Sequence, residues 1–114
     1  MTSIFSKIVA REIPARIVFE DEHLIAFHDI APQAPVHVVV VPKTEEFSTV
    51  TELAAADPSL LAEMVSRAAN IAAELSNGDY RLIFNSGESA GQTVFHVHAH
   101  VLSGDLAEGS LGGK

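Results

Sequence analysis

The chain contains no cysteine and no tryptophan, and only seven of its 114 residues are lysine or arginine. Without cysteine it can form neither a disulfide framework nor a zinc-thiolate site, and it has no thiolate nucleophile. The few basic residues are dispersed and are outnumbered by fifteen acidic ones, which gives a net charge of −8. Because binding to phosphate polymers relies on clustered lysine and arginine, this balance argues against a nucleic-acid polymer as a partner.

Long apolar runs are also lacking. The longest strongly apolar stretch, Val36 to Val41, includes His37 and stops at Pro42, whereas a membrane span needs about 20 apolar residues. The first residues do not show the basic and then apolar pattern of a signal peptide. We therefore expect no membrane partner and a cytoplasmic location. The length of 114 residues predicts a single domain, 1–114.

The order of helix and strand signals predicts an α+β fold. Ser3 is a candidate N-cap for a short helix that ends before Pro14, and Asp57 followed by Pro58 is a strong start for a long helix. Strand signals come mostly in hairpin-like succession, so we expect a largely antiparallel sheet. The predicted strands cover residues 16–19, 24–27, 36–41, 80–85 and 93–102. The glycine-rich end, about residues 103–114, is predicted to be flexible or to adapt to a partner.

Three histidines, His96, His98 and His100, alternate with the small apolar residues Val97 and Ala99. Since side chains alternate across a strand, all three imidazoles are expected on one face of the last strand. Such a row is compatible with a structural role, with a zinc site built on a His-X-His pair, or with attack by a neutral imidazole on a phosphate. The histidines by themselves leave these three hypotheses open.

A glycine-containing loop directly precedes the histidine row. Gly87, Gly91, Gln92 and Thr93 can present backbone N–H groups and a hydroxyl to an anion. Loops of this kind are common, but the position of this one against three histidines makes the signal more specific. The combination favours catalysis on a phosphate, in which the histidines divide the tasks of nucleophile, proton carrier and charge stabiliser.

The segment His96-Val97-His98-Ala99-His100-Val101-Leu102 resembles the signature of the histidine triad (HIT) superfamily. The resemblance runs from about Ile4 to Leu102 and follows the Hint branch in order and spacing. It implies a HIT-like fold, a mostly antiparallel five-stranded sheet with one long and one short helix. The other matching segments are Ile4-Phe5-Ser6-Lys7-Ile8, Glu12-Ile13-Pro14-Ala15, Ala26-Phe27-His28-Asp29-Ile30, Gln33-Ala34-Pro35-Val36-His37, Val41-Pro42-Lys43, Asn85 and Gly91-Gln92-Thr93-Val94.

The resemblance also implies a reaction. Hint-type proteins cleave the P–N bond of purine nucleoside 5′-phosphoramidates and release AMP or GMP through a covalent nucleotidyl-histidine. The matching nucleophile here is His98, and His96 and His100 would orient it, bind the phosphate and manage protons. His37 matches a fourth histidine that hydrogen-bonds into this network. The mechanism needs no metal and no cofactor, which argues against the zinc hypothesis.

Nucleotide-binding residues are implied in the same way. Asp29 matches the acid that accepts hydrogen bonds from both ribose hydroxyls, which suits a carboxylate with two acceptor oxygens. Asn85 matches a polar residue beside the ribose and phosphate. The loop that contacts the phosphate and leaving group corresponds to Gln92, Thr93 and Val94. The apolar walls of the base pocket correspond to Phe5, Ile8, Phe27, Ile30 and Val39, which on their own are also core candidates.

The tail departs from the family pattern, because residues 103–114 lack the aromatic and proline-containing segment common in Hint proteins. The leaving-group preference therefore does not carry over. By resemblance we expect a homodimer built through the long helix and a sheet edge. Two alternative functions stay open. One is a HIT-type hydrolase acting on dinucleoside polyphosphates, and the other is a nucleotide-binding regulatory module with slow chemistry.

Overall fold

The computed structural model describes residues 3–110, over which three α-helices and five β-strands follow one another. In chain order they are α1 (Ile4–Val9), β1 (Ile17–Glu20), β2 (Leu24–His28), β3 (Val36–Pro42), α2 (Val50–Ala56), α3 (Pro58–Leu75), β4 (Arg81–Ile83) and β5 (Ala99–Ser103). Two short 3-10 turns cover 88–90 and 108–110.

All five strands form one sheet in the order β1-β2-β3-β5-β4, and each neighbouring pair is antiparallel. The predicted α+β class and five-stranded antiparallel sheet are therefore confirmed. The valine-rich β3 lies at the centre, where it is buried along nearly its whole length. Branched residues pack well on a pleated surface that is covered on both sides, which is why this stretch takes the middle position.

Both helix starts predicted from the sequence are confirmed. The Ser3 hydroxyl accepts a hydrogen bond from the Ser6 N–H at 3.1 Å and caps α1. The Asp57 carboxylate accepts from the Leu60 N–H at 3.1 Å and caps α3, which begins with Pro58. In both cases the side chain satisfies one of the backbone donors that a helix start leaves free.

The prediction of one long and one short helix missed a second short helix, α2. Thr49 caps it by accepting from the Glu52 N–H at 3.3 Å, while Glu52 Oε1 accepts from the Ser48 N–H at 2.9 Å. A threonine followed three residues later by glutamate is the sequence pattern of a capping box, so the signal for α2 was present. The helix is short because it runs directly into the Asp57 cap of α3.

The sheet separates two apolar clusters, which occupy what we call the helix face and the α1 face. Strand residues alternate between the faces, so successive positions of β2 and β3 contribute to opposite clusters. On the helix face, buried strand residues pack against α2 and α3, with Leu24, Ala26, Val38, Val40, Ala99 and Val101 against Leu53, Leu60, Met64, Ala68 and Ile71. On the α1 face, Ile25, Phe27, Val39 and Val41 pack against Phe5 and Ile8.

The last strand is shorter than predicted, and this changes the histidine row. It begins at Ala99, so His96 and His98 precede it, and the expectation of three imidazoles alternating along one strand is wrong. The Val97 N–H donates to the Phe47 carbonyl at 2.9 Å instead of joining a strand ladder. At its other end the strand includes the buried Ser103, which the sequence placed in the tail.

The remaining tail residues are only partly described. The structure follows the chain to residue 110, and residues 111–114 of the predicted adaptable tail lie outside the described range. Within residues 3–110, no helix combines the length and the apolar character that a membrane crossing requires. The cytoplasmic location stays a prediction.

Candidate active site

A cavity of about 400 Å³ opens on the α1 face. Its walls are apolar and come largely from α1 and the sheet, whereas its polar side holds Asp29, Asn85, Thr93, His98 and His100. A groove of about 530 Å³ lies beside β4, but its lining includes no histidine. We therefore take the smaller cavity as the candidate active site, because it combines an apolar pocket with converging polar groups. Of the predicted site residues, those that contribute to its apolar walls are Phe5, Ile8, Phe27, Val39 and Val94.

His37 and His100 form a directly bonded pair across β3 and β5, with His37 Nε2 and His100 Nδ1 2.9 Å apart. The Gln33 backbone N–H donates to His37 Nδ1 at 3.0 Å. Since Nδ1 is the acceptor there, the neutral His37 ring carries its proton on Nε2 and donates it to His100. His100 accepts on Nδ1, so its own proton lies on Nε2. Assignments of this kind follow from the hydrogen-bond partners.

His98 is oriented by the backbone just before it. Its Nδ1 lies 2.8 Å from the His96 carbonyl oxygen, which can only accept, so Nδ1 carries the proton. The lone pair of a neutral His98 is therefore on Nε2. The Phe5 ring packs edge-on against His98 with the ring centroids 4.8 Å apart. This contact restricts the imidazole from the side of α1. The His100 ring also packs edge-on against it, with centroids 5.1 Å apart, so the ring is held by one hydrogen bond and two ring contacts.

His96 is enclosed and does not line the cavity. It is only 1% exposed, and its Nε2–H donates to the Pro42 carbonyl at 2.7 Å. Its Nδ1 lies 2.6 Å from the Ser3 hydroxyl. Both ring nitrogens are thus engaged by other parts of the chain. The structure places His98 and His100 at the cavity, His37 behind them in direct contact with His100, and His96 enclosed within the chain.

Burial keeps the site histidines neutral near pH 7. It lowers the pKa of His37 and of His98 below the usual value, and the buried, histidine-rich surroundings lower the pKa of His100 to about 4. Desolvation is the largest cause in each case, because it disfavours the charged ring. The Asp29 carboxylate, whose Oδ2 lies 3.4 Å from His37 Nε2, opposes all three shifts without overcoming them.

In the loop before the histidines, the Gln92 side chain is buried and is not part of the cavity lining. That side chain is 3% exposed, with its Oε1 accepting from the Gly87 N–H at 2.8 Å and its Nε2 donating to the Ser48 and Val94 carbonyls at 2.7 and 3.0 Å. It therefore holds the loop together and does not line the cavity. Gly91, with φ of 95°, takes a left-handed conformation that favours glycine.

Several site features were not predicted. Ile30, expected as part of a pocket wall, lies at the cavity rim and is 96% exposed. Ser3 and the backbone groups of Gln33 and Pro42 hold the histidines, and none of these contacts was predicted from the sequence, which gave Ser3 only as a helix cap. Nearly every residue carries a backbone donor and acceptor, so the roles of the Gln33 N–H and the Pro42 carbonyl can be recognised only in the folded chain. Additional cavity residues are Ile4, Ile13, Pro14 and Ala15.

One group within residues 3–110 has the composition of a metal site. Ligand atoms of Asp29, His37 and His100 lie within 4.8 Å of one another. A metal on His37 Nε2 would move that ring's proton to Nδ1, where it would face the Gln33 N–H. Two donors would then oppose each other, since metal-bound histidines normally donate their second N–H to an acceptor. The hydrogen bonding therefore suits a proton pathway better than a metal ligand set.

Comparison with known proteins identifies the family of the chain. The family described as "Scavenger mRNA decapping enzyme C-term binding" matches residues 2–114. An uncharacterised HIT-like protein of Synechocystis sp. is 49% identical over 106 residues, which cover 90% of each chain. The chain belongs to the histidine triad family. The resemblance inferred from the sequence is thereby confirmed.

Other histidine triad proteins give the class of activity. A HIT family hydrolase from Legionella pneumophila Philadelphia 1 superposes with a TM-score of 0.84 at 42% identity, covering 92% of this chain and 95% of that one. A protein of Escherichia coli K12 named purine nucleoside phosphoramidase is 42% identical over 104 residues, which cover 90% of this chain and 87% of that protein. This histidine triad chain is accordingly an enzyme of the hydrolase class.

Proposed function

We propose that the enzyme cleaves the P–N bond of purine nucleoside 5′-phosphoramidates through a nucleotidyl intermediate on His98 and releases AMP or GMP. The observation that carries the proposal is the Nδ1–H of His98 bonded to the His96 carbonyl, which leaves the Nε2 lone pair available beside the cavity. A neutral imidazole in that tautomer is a competent nucleophile toward phosphorus. The Escherichia coli relative, named for this activity, supports the choice of substrate class.

The cavity accounts for the nucleoside part of the substrate. Its apolar walls suit a purine base, and Asp29 lies where the base pocket meets the histidines. Asp29 Oδ1 accepts from the Ala31 N–H at 2.8 Å, which fixes the carboxylate and leaves further acceptor capacity for ribose hydroxyls. Asn85 and Thr93 would contact the ribose, phosphate or leaving group.

The reaction has two balanced steps. In the first, His98 Nε2 attacks phosphorus, the P–N bond breaks, and the departing amine takes up one proton from water. In the second, water attacks phosphorus, the bond to Nε2 breaks, and the nucleoside monophosphate leaves as one proton is returned to solvent. The Nε2–H of His100, kept in place by His37, would donate to a phosphoryl oxygen as charge develops there.

A turnover panel tests this function. We would compare adenosine and guanosine 5′-phosphoramidates with dinucleoside polyphosphates and nucleotidyl sulfates, each with and without EDTA. We expect phosphoramidates to give the highest kcat/KM and the chelator to change nothing, and mass spectrometry of quenched mixtures to show a nucleotidyl adduct on His98. Faster turnover of polyphosphates would favour the alternative hydrolase, while tight nucleotide binding without turnover would favour a regulatory module.

We also propose that the enzyme forms a homodimer through α3 and a sheet edge. Val65 and Leu75 follow the apolar period of α3 but are 38% and 39% exposed, so that helix keeps apolar surface outside the core. The short β4 forms one edge of the sheet. Sedimentation velocity should give twice the chain mass, and a Val65→Glu variant should shift the enzyme toward monomer; a monomeric wild type would rule the proposal out.

A further inference from the structure

One hydrogen bond joins the start of the chain to the triad. The Ser3 hydroxyl lies 2.6 Å from His96 Nδ1, although the two residues are 93 positions apart. His96 is almost wholly buried, so its ring nitrogens depend on partners within the protein. The role of Ser3 as the N-cap of α1 explains a hydroxyl at this position but does not explain its contact with a triad histidine.

The direction of this bond follows from the other side of the ring. The Pro42 carbonyl accepts the His96 Nε2 proton at 2.7 Å, so the neutral ring has its lone pair on Nδ1. The Ser3 O–H must therefore donate to Nδ1. The same oxygen accepts from the Ser6 N–H at 3.1 Å, so one hydroxyl uses its lone pair for the helix cap and its proton for His96.

His96 in turn controls the nucleophile through its backbone. Its carbonyl oxygen is the acceptor that keeps the proton of His98 on Nδ1. The ring and this carbonyl belong to one residue outside the regular strand, so the position of the ring affects the position of the oxygen. Phe5, two residues after Ser3, packs against both rings, with centroids 5.8 Å from His96 and 4.8 Å from His98.

We propose that Ser3 is a positioning residue for the His98 nucleophile and that it acts through His96. Its O–H holds the His96 ring, and the His96 carbonyl then holds His98 with Nε2 free to attack. The kinetic side of this inference rests on the proposed function, because it assumes that His98 is the nucleophile. The segment from Ser3 through α1 thus has two roles at the site, because Ser3 holds His96 and α1 forms a wall of the nucleotide cavity.

Three variants distinguish the hydrogen bond that the Ser3 hydroxyl donates to His96 from its role as the N-cap of α1. Ser3→Gly removes the hydroxyl but keeps a residue that caps helices almost as well as serine. Ser3→Thr retains both the donor and the cap. Ser6→Ala is the matched control, because the Ser6 hydroxyl faces the Ser3 hydroxyl at 3.4 Å and also bonds Glu45, whose pKa that bond lowers. Ser6→Ala therefore removes a neighbouring hydroxyl that bonds Ser3 and Glu45 and does not bond His96.

The first measurement is the ¹⁵N NMR spectrum of the histidine rings in the free enzyme. We expect His98 to show a single Nδ1–H tautomer in the wild type, Ser3→Thr and Ser6→Ala, and a mixture of tautomers in Ser3→Gly. The second is steady-state kinetics on an adenosine phosphoramidate. Because one neutral hydrogen bond is lost, kcat should fall about threefold to tenfold in Ser3→Gly, with KM within about twofold of wild type.

Two results would overturn the proposal. One is an unchanged His98 tautomer and kcat in Ser3→Gly, which would leave the hydroxyl as a helix cap alone. The other is an equal loss in Ser6→Ala, which would assign the effect to the packing of α1. If the wild type does not turn over phosphoramidates, the proposed function fails, while the ring-nitrogen spectra still decide whether Ser3 orients His96 and His98.

Discussion

The two faces of one sheet differ in what they are built to do. On the helix face, β3 contributes Val38 and Val40 to a closed apolar cluster against α2 and α3. On the α1 face, the same strand contributes His37 and Val39, and the cover is a single short helix that leaves a cavity. Because side chains alternate along a strand, one face of the sheet can supply stability while the other keeps polar, neutral imidazoles in fixed positions.

The largest expected effect is on the α1 face. His98→Ala should reduce phosphoramidate turnover at least about thousandfold, because no other group near the cavity is placed to form the covalent bond. The melting temperature should change little, since His98 is only partly buried and makes one backbone hydrogen bond and two ring contacts. Stopped-assay nucleotide release and thermal unfolding would be measured together. Full activity in this variant would end the covalent mechanism.

The matched change on the helix face should do the reverse. Met64→Ala removes a fully buried side chain from the cluster under α3 and should lower the free energy of unfolding by about 2–5 kcal/mol. The kcat of the folded fraction should stay near that of the wild type. Urea titration and kinetics at low temperature would test both statements. A large loss of kcat at full folding would show that the two faces are coupled.

A smaller effect on kcat/KM is expected from a change at Asp29, the proposed ribose-binding carboxylate that lies next to His37. Asp29→Asn should lower kcat/KM for ribonucleoside substrates about tenfold, because the amide loses one acceptor and the negative charge. The 2′-deoxy substrates already lack one hydroxyl donor and should lose less. Comparing kcat/KM for both sugars in the wild type and the variant isolates this contribution. Equal losses would mean that Asp29 supports the loop through its bond to Ala31 and does not read the ribose.

The last expected effect is a pH dependence of stability that arises from the histidines of the α1 face. The folded-state pKa of His37, His98 and His100 is lowered, to about 4 for His100 against an ordinary value of 6.5. Between those values the unfolded chain binds more protons, so the contribution of these groups to stability is complete above about pH 6.5 and is lost as pH falls toward about 4.

Denaturation from pH 7 to pH 4.5 and an NMR titration of the ring protons would measure this dependence. His23 is the control, because the neighbouring Glu63 carboxylate raises its pKa, which gives the opposite sign on an exposed residue. His23→Gln should therefore leave the loss of stability at low pH in place. Site histidines that titrate at or above 6.5 would contradict the account of burial given for the cavity.

Local signals in the sequence were sufficient for much of the fold. The Ser3 and Asp57 caps and the valines of β3 each act through neighbouring residues or through simple alternation, and all three were predicted correctly. The start of β5 was not, because His96 lies outside the strand and is held there by distant groups. Its ring bonds Pro42 and the adjacent Val97 N–H bonds Phe47, and contacts across such separations have no local signature.

The candidate site divides in the same way. The alternating histidines were enough to choose His98 and His100, whereas His37 and Asp29 were chosen through the family resemblance, and the structure brings the four together. They did not reveal that the Gln92 side chain folds inward to brace its loop or that Ile30 stands at the rim. An amide or an aliphatic side chain suits either position chemically, so the outcome depends on the three-dimensional path of the chain.

The tautomers of three rings are fixed mainly by peptide groups: the Gln33 N–H, the Pro42 carbonyl and the His96 carbonyl. Every amino acid brings a carbonyl, and every one except proline brings an N–H. A saturation-mutagenesis map should therefore show, at the exposed position 33, a penalty concentrated on proline, whereas the fully buried position 42 should also be limited by side-chain volume. The placement of catalytic protons is in this sense inherited with the course of the backbone, and side chains at position 33 can change without disturbing it.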